Sequence, residues 1–136
     1  MAPRSPWLIG FVLLALGACS LPVVDKQADG DARALFDEIR AGADLSKDQD
    51  LAAPLNTPDA LAGLAALRTQ IPDGAPQKVV NQSFNFETAN GDSTATLVHA
   101  YQYPKSTVVA ETALHKAPGQ TSWSVVGFHI EVDPKT

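Results

Sequence analysis

The chain has 136 residues, 45% of them hydrophobic and 18% charged, with a net charge of −5. That is enough for one domain, too apolar for a disordered chain, and too acidic for a nucleic-acid partner or for a basic patch facing anionic lipid. A single cysteine, Cys19, excludes an internal disulfide.

Met1 to Ser5 carries one positive charge, at Arg4, and Trp7 to Ala18 is an unbroken apolar run of twelve residues. As a helix this run reaches only about 18 Å, short of the roughly 20 residues that a transmembrane helix needs. Its length and flanks predict a signal peptide over 1–18. The run ends in Leu16-Gly17-Ala18-Cys19, which resembles the bacterial lipoprotein signal, a Leu and two small residues before Cys. The resemblance implies cleavage between Ala18 and Cys19 and acyl chains such as palmitate on the Cys19 thiol. Several acyl chains at about 0.8 kcal/mol per buried methylene would hold a domain on a membrane. The competing reading is an uncleaved anchor, since Leu21, Val23 and Val24 prolong the apolar stretch; Ser20 and Pro22 oppose it. Removal of 1–18 leaves nine bases against fifteen acids, a net charge of −6. By the same resemblance, Ser20 rather than Asp after the cysteine implies the outer membrane, on the periplasmic side of the cell envelope.

Residues 19–30 then form the lipidated cysteine and a polar tether, and 31–136 the folded domain. Asp31 is expected to cap a helix whose stripe is Ala32, Leu35, Phe36 and Ile39, with Gly42 ending it. Leu45, Leu51 and Leu55 are candidate core anchors in a stretch that Pro54 limits to short turns. Thr57-Pro58-Asp59 starts a second helix with the stripe Leu61, Leu64, Leu67 and Ile71, broken by Pro72-Asp73-Gly74.

Four strands follow. In the first, alternation puts Val80, Gln82, Phe84 and Phe86 on one face, and Asn90-Gly91 signals a hairpin. In the second, Ala95, Leu97, His99, Tyr101 and Tyr103 share a face; in the third, Val108, Ala110, Thr112 and Leu114 do. In the fourth, Val126, Phe128, Ile130 and Val132 oppose Trp123, Val125, Gly127 and His129. Apolar groups on both sides of that strand suggest a covered position, with Gly127 at a bend or bulge. The expected class is α+β, two N-terminal helices packed on a curved four-stranded antiparallel meander. Element order, together with Trp123-Ser124-Val125-Val126-Gly127-Phe128, resembles the cystatin-like cone of the nuclear-transport-factor-two superfamily.

Tight hairpins would set His99 beside Ala110 and His129 beside Val108, the two rings on one face but on the order of 10 Å apart. With His115 at the far end of its strand, the three histidines do not form a metal site, and no cofactor is expected. The cone resemblance implies a candidate pocket of His99, Tyr101, Trp123 and His129 for a small molecule, or for isomerase- or cyclase-like chemistry. Glu87, Glu111 and Glu131 are poorly placed to act as its base, so no catalytic residue is assigned. Nine of the fifteen acids fall between Asp25 and Asp59 without calcium-loop spacing, and are expected to form a solvated face. The favoured function is a non-catalytic, membrane-anchored module that binds an envelope protein or its own copy; the alternative is a small-molecule cone.

Overall fold

The computed structural model describes residues 25–135; the expected signal peptide, Ala18 and Cys19 lie outside them. The chain is α+β: helix α1 (Lys26–Ala41), helix α2 (Pro58–Ala66), and strands β1 (Lys78–Ala89), β2 (Asp92–Gln102), β3 (Ser106–Lys116) and β4 (Ser124–Pro134). The strands form one antiparallel sheet in the order β1-β2-β3-β4. Both helices lie on one face, which an antiparallel sheet permits because its other face can meet water.

Helix α1 starts earlier than its glycine suggested. Asp25, not Asp31, is the cap, accepting from the backbone N–H groups of Gln27 and Ala28 at 2.9 and 3.0 Å. Gly30 and Asp31 lie inside the helix, so the last part of the expected tether is folded. Ala28 extends the buried stripe of Ala32, Leu35, Phe36 and Ile39 by one turn. That burial outweighs the roughly 1 kcal/mol that an internal glycine costs a helix. Gly42 ends α1 as expected: it is left-handed at φ 73°, and the Gly42 and Ala43 amides donate to Ile39 and Glu38.

Between the helices, short 3-10 turns bury Leu45 and bring Leu51 beside Val125. Here the Val125 amide donates to Asp50 O at 2.7 Å and the Ala52 amide to Val125 O at 2.9 Å, so this loop covers the first part of the β4 edge. Helix α2 begins as its sequence dictates, with Pro58 in the first turn and the Thr57 hydroxyl accepting from Ala60 N–H. It continues as a 3-10 turn over Leu67–Gln70.

The central strands keep strict alternation. Leu97, His99, Tyr101, Val108, Ala110, Thr112 and Leu114 are all buried on the helix-facing side, and His99 pairs with Ala110. The edge strands do not. A register shift between Asn81 and Ser83 leaves Gln82 unpaired, so Asn81 sits opposite His99 while Phe84 and Phe86 sit opposite Leu97 and Ala95. Val79 and Asn81, rather than Val80 and Gln82, therefore share the inner face with the two phenylalanines. A second shift at Val126 puts Val125 opposite Leu114 and Phe128 opposite Thr112. One extra residue reverses the parity of everything beyond it. The apolar groups on both sides of β4 arise from this bulge: β4 is an edge strand, with Val126 exposed. The sheet also curls. Trp123, just before β4, lies 5.9 Å edge-on from Phe86 on β1, although these strands are opposite edges.

Candidate functional site

His99, Tyr101 and Trp123 lie on the inner face, each at most 2% exposed. His129 does not join them. It pairs with Glu111 on the opposite, solvent-facing side: the β3–β4 pairing is already two residues off the expected His129–Val108 register at His115–Ser124, and the Val126 bulge adds the one further step that reverses its face. The four-residue pocket is therefore not assembled. Tyr101 stacks on Phe36 with ring centroids 3.6 Å apart and planes within 10°. Trp123 is closed over by Phe86 and by the Lys116 ammonium, 4.7 Å from its ring centre. Tyr103 is buried just past the end of β2, its carbonyl accepting from Lys135 Nζ at 2.6 Å.

His99 instead joins a group that the sequence reading did not anticipate. Its Nε2 is 2.7 Å from Asp29 Oδ1 on α1, the same oxygen that accepts from Asn81 Nδ2 at 2.9 Å. Arg33, one turn along, lies 3.0 Å from Asp29 Oδ2 through Nε and donates to Asn81 Oδ1 at 2.9 Å through Nη2. Four side chains from α1, β1 and β2 thus close a ring. Burial pushes the Asp29 carboxyl up, but hydrogen bonds from His99 and Asn81 and the Arg33 charge more than reverse this, leaving it below the ordinary range. An ionised carboxylate can only accept, so His99 carries its proton on Nε2. Among the described residues its Nδ1 is buried with no hydrogen-bond partner, as are the hydroxyls of Thr112, Tyr101 and Tyr103 and the Trp123 Nε1.

The opposite flank of α1 carries Asp31 and Glu38. They are part-buried rather than fully solvated, and face Asp48 and Asp50 of the loop along β4. Burial, then the charges of Asp50, Asp48 and Asp25, raise Asp31 from 3.8 to about 6. Burial, a hydrogen bond to Asp48 and the charges of Asp48 and Asp50 raise Glu38 from 4.5 to about 7. Among the described residues, no group of three or more His, Cys, Asp or Glu side chains could hold a metal ion.

The remaining candidates are scattered. His115 pairs with Asp92 at 2.9 Å at an exposed strand end. Glu87, Glu111 and Glu131 are exposed. An open hollow of about 590 Å³ lies beyond the C-terminal end of α1, lined by Arg40, Arg68, Thr69, Ile71 and Asp73 among others, and contains none of the expected pocket residues.

The Asp29–Arg33 spacing of four residues was a visible helical ion-pair signal. The reading of 19–30 as tether hid it. What the arrangement does chemically is fix a helix to a sheet, through the bonds of His99 Nε2 and Asn81 Nδ2 to Asp29 and of Arg33 Nη2 to Asn81. No helix among the described residues is long and apolar enough to cross a membrane. Comparison with protein-family models, with curated proteins and with solved structures gives no match.

Proposed function

We propose that the protein is an envelope lipoprotein, held on the periplasmic side of a bacterial membrane by lipid on Cys19, with a non-catalytic domain that serves as an interaction or scaffold module. The observation that carries this reading is Leu16-Gly17-Ala18-Cys19 at the end of a twelve-residue apolar run. The distance from Cys19 to the helix cap at Asp25 supports it, since a lipidated cysteine needs only a short leader before its domain. Ser20 favours the outer membrane. In the same reading the curled sheet is a cystatin-like cone, supported by the approach of Trp123 to Phe86 across the inner face.

The non-catalytic reading is supported by how two inner-face side chains are held. His99 is bonded to Asp29 and the Tyr101 ring is stacked on Phe36. Partner binding then falls to the helix-free outer face, with His129, Glu111 and Val109, or to the β1 edge. Among the described residues that edge pairs with no strand, and it lacks the proline that would discourage strand addition. An envelope protein or a second copy would fit either surface. Cys19→Ser is expected to leave the domain folded and release it into the soluble fraction. Continued sedimentation with membranes, with residues 1–18 retained, would overturn the lipoprotein reading.

A further inference from the structure

The hydrogen-bonding pattern along β1 determines what its open edge can pair with. Asn90 and Gly91 both have positive φ, 54° and 83°, so their two-residue turn closes on a hydrogen-bonded Ala89–Asp92 pair. Bonded and unbonded pairs alternate along an antiparallel ladder. Ser83, Asn85, Glu87 and Ala89 therefore bond to β2, while Phe84 and Phe86 turn their backbone N–H and C=O groups to the open edge. The β2–β3 turn agrees: Tyr103 N–H donates to Ser106 O at 2.9 Å, so odd-numbered residues of β2 bond to β3 and even-numbered ones to β1. Before the extra residue at Gln82 the alternation is shifted by one. There Lys78 and Val80, opposite Gln102 and Ala100, bond to β2, and Val79 and Asn81 turn their groups outward.

The outward positions Val79, Asn81, Phe84 and Phe86 are thus placed symmetrically about the Gln82–Ser83 peptide. An antiparallel strand of the same sequence, crossing at that point, meets every one of them. Val79 faces Phe86 of the second copy and Asn81 faces its Phe84, all on the inner side. On the outer side the same register sets Lys78 opposite Glu87, an exposed base against an exposed acid, once at each end. Phe86, 45% exposed at this margin, gains an apolar cross-strand neighbour. Helix α1 packs mainly over β2 and β3, set back from the edge.

The bulge also selects among partners. Bulges and edge lysines discourage strand addition, because a regular strand matches the outward groups on only one side of the extra residue. A second copy carries the same irregularity in the two-fold-related place. It is matched over the whole run from Lys78 to Glu87, and each lysine meets an acid.

We propose that β1 pairs with β1 of a second copy, antiparallel about a two-fold axis between Gln82 and Ser83, joining the two sheets into one. This rests on the interaction-module reading of the preceding section and deepens it: the partner is the chain's own copy and the surface is the β1 edge.

The test uses the full-length protein in its own membranes, carrying Lys78→Cys and Glu87→Cys together. The two positions lie roughly 30 Å apart along one strand and cannot join within a chain. Across the proposed axis they form unbonded pairs, whose Cα atoms approach to about 4.5 Å, within disulfide reach. After oxidation with copper phenanthroline, a two-chain band on a non-reducing gel is expected, severalfold stronger than from either cysteine alone. A double variant no stronger than the single ones overturns the self-pairing and leaves an envelope protein as the partner of the module. A two-chain band from wild type would come from a free Cys19 and overturn the anchor instead; the pairing is then scored with Cys19→Ser in every chain. Should the double variant not accumulate, Lys78→Glu and Glu87→Lys replace it. Each is expected to weaken dimerisation about tenfold in sedimentation of detergent-solubilised protein, and their equimolar mixture to restore it, since every contact is then between opposite charges. Single variants that dimerise as wild type does, or a mixture no better than its parts, overturn the proposal.

Discussion

The two flanks of α1 carry acids of the same kind to opposite effect. On one side Asp29 meets Arg33, Asn81 and His99 and is held ionised below its ordinary range. On the other, Asp31 and Glu38 meet Asp48 and Asp50 and are pushed up to about 6 and about 7. Both flanks are part-buried, so the difference lies in the neighbours. Burial raises a carboxyl unless charge and hydrogen bonds reverse it. One flank fastens the helix to β1 and β2, while the other presses it against a loop of like charge.

Predictions that separate the flanks start from a residue belonging to neither. Trp123→Ala is expected to destabilise the domain by about 3–5 kcal/mol, as loss of a fully buried aromatic should. Its cost should add to that of any flank variant, because the sites are separate. A melting temperature equal to wild type would show that Trp123 is not part of the core.

Asp29→Ala should cost roughly 1–3 kcal/mol, since it leaves the buried His99 Nε2 unpaired. Adding Arg33→Ala should cost little more, because the partner is already gone. Additive losses in that double-mutant cycle would break the account of a single closed ring.

The pH dependence has opposite signs on the two sides. Asp29 has a lowered folded pKa, so its contribution is present above the ordinary carboxylate value of 3.8 and is lost as pH falls below it. Asp31 and Glu38 have raised folded pKa values, so the stability they contribute is full below about 4 and is lost as pH rises through about 6 and about 7. Glu38→Gln should therefore raise the melting temperature at pH 8 relative to wild type, with the gap closing by pH 5. A gap that widens on acidification would reverse the assignment of that flank.

The smallest effect expected is from Gly30→Ala, on the exposed side of α1, where an added methyl meets no atom within 4 Å. It should stabilise by about 0.5–1 kcal/mol through helix propensity alone, with no change in pH profile. Destabilisation would mean that the glycine is needed by its surroundings.

The same contrast explains how much of the molecule was legible from its sequence. The central strands β2 and β3 were, down to the His99–Ala110 pair, because period-two alternation runs through them unbroken. The edge strands were legible as strands but not in register. Extra residues at Gln82 and Val126 leave no mark on composition, and each reverses which side chains meet the core. That is how His129 was assigned to the inner face. Gly91 and left-handed Asn90 form the hairpin that their order signals. Helix α1 was cut short at Gly30 although Ala28 continues its stripe, and the shortening removed Asp29 from the domain. His99 and Tyr101 were thus recognised as inner-face residues, but the partners that occupy His99 were not.

The most direct test of the central claim, that this fold is a lipid-anchored module rather than a site of chemistry, is native mass spectrometry of the wild-type protein released from its own envelope in mild detergent. The account predicts a chain beginning at Cys19, heavier than residues 19–136 by its lipid alone. A chain that retains residues 1–18 and carries no lipid would contradict it.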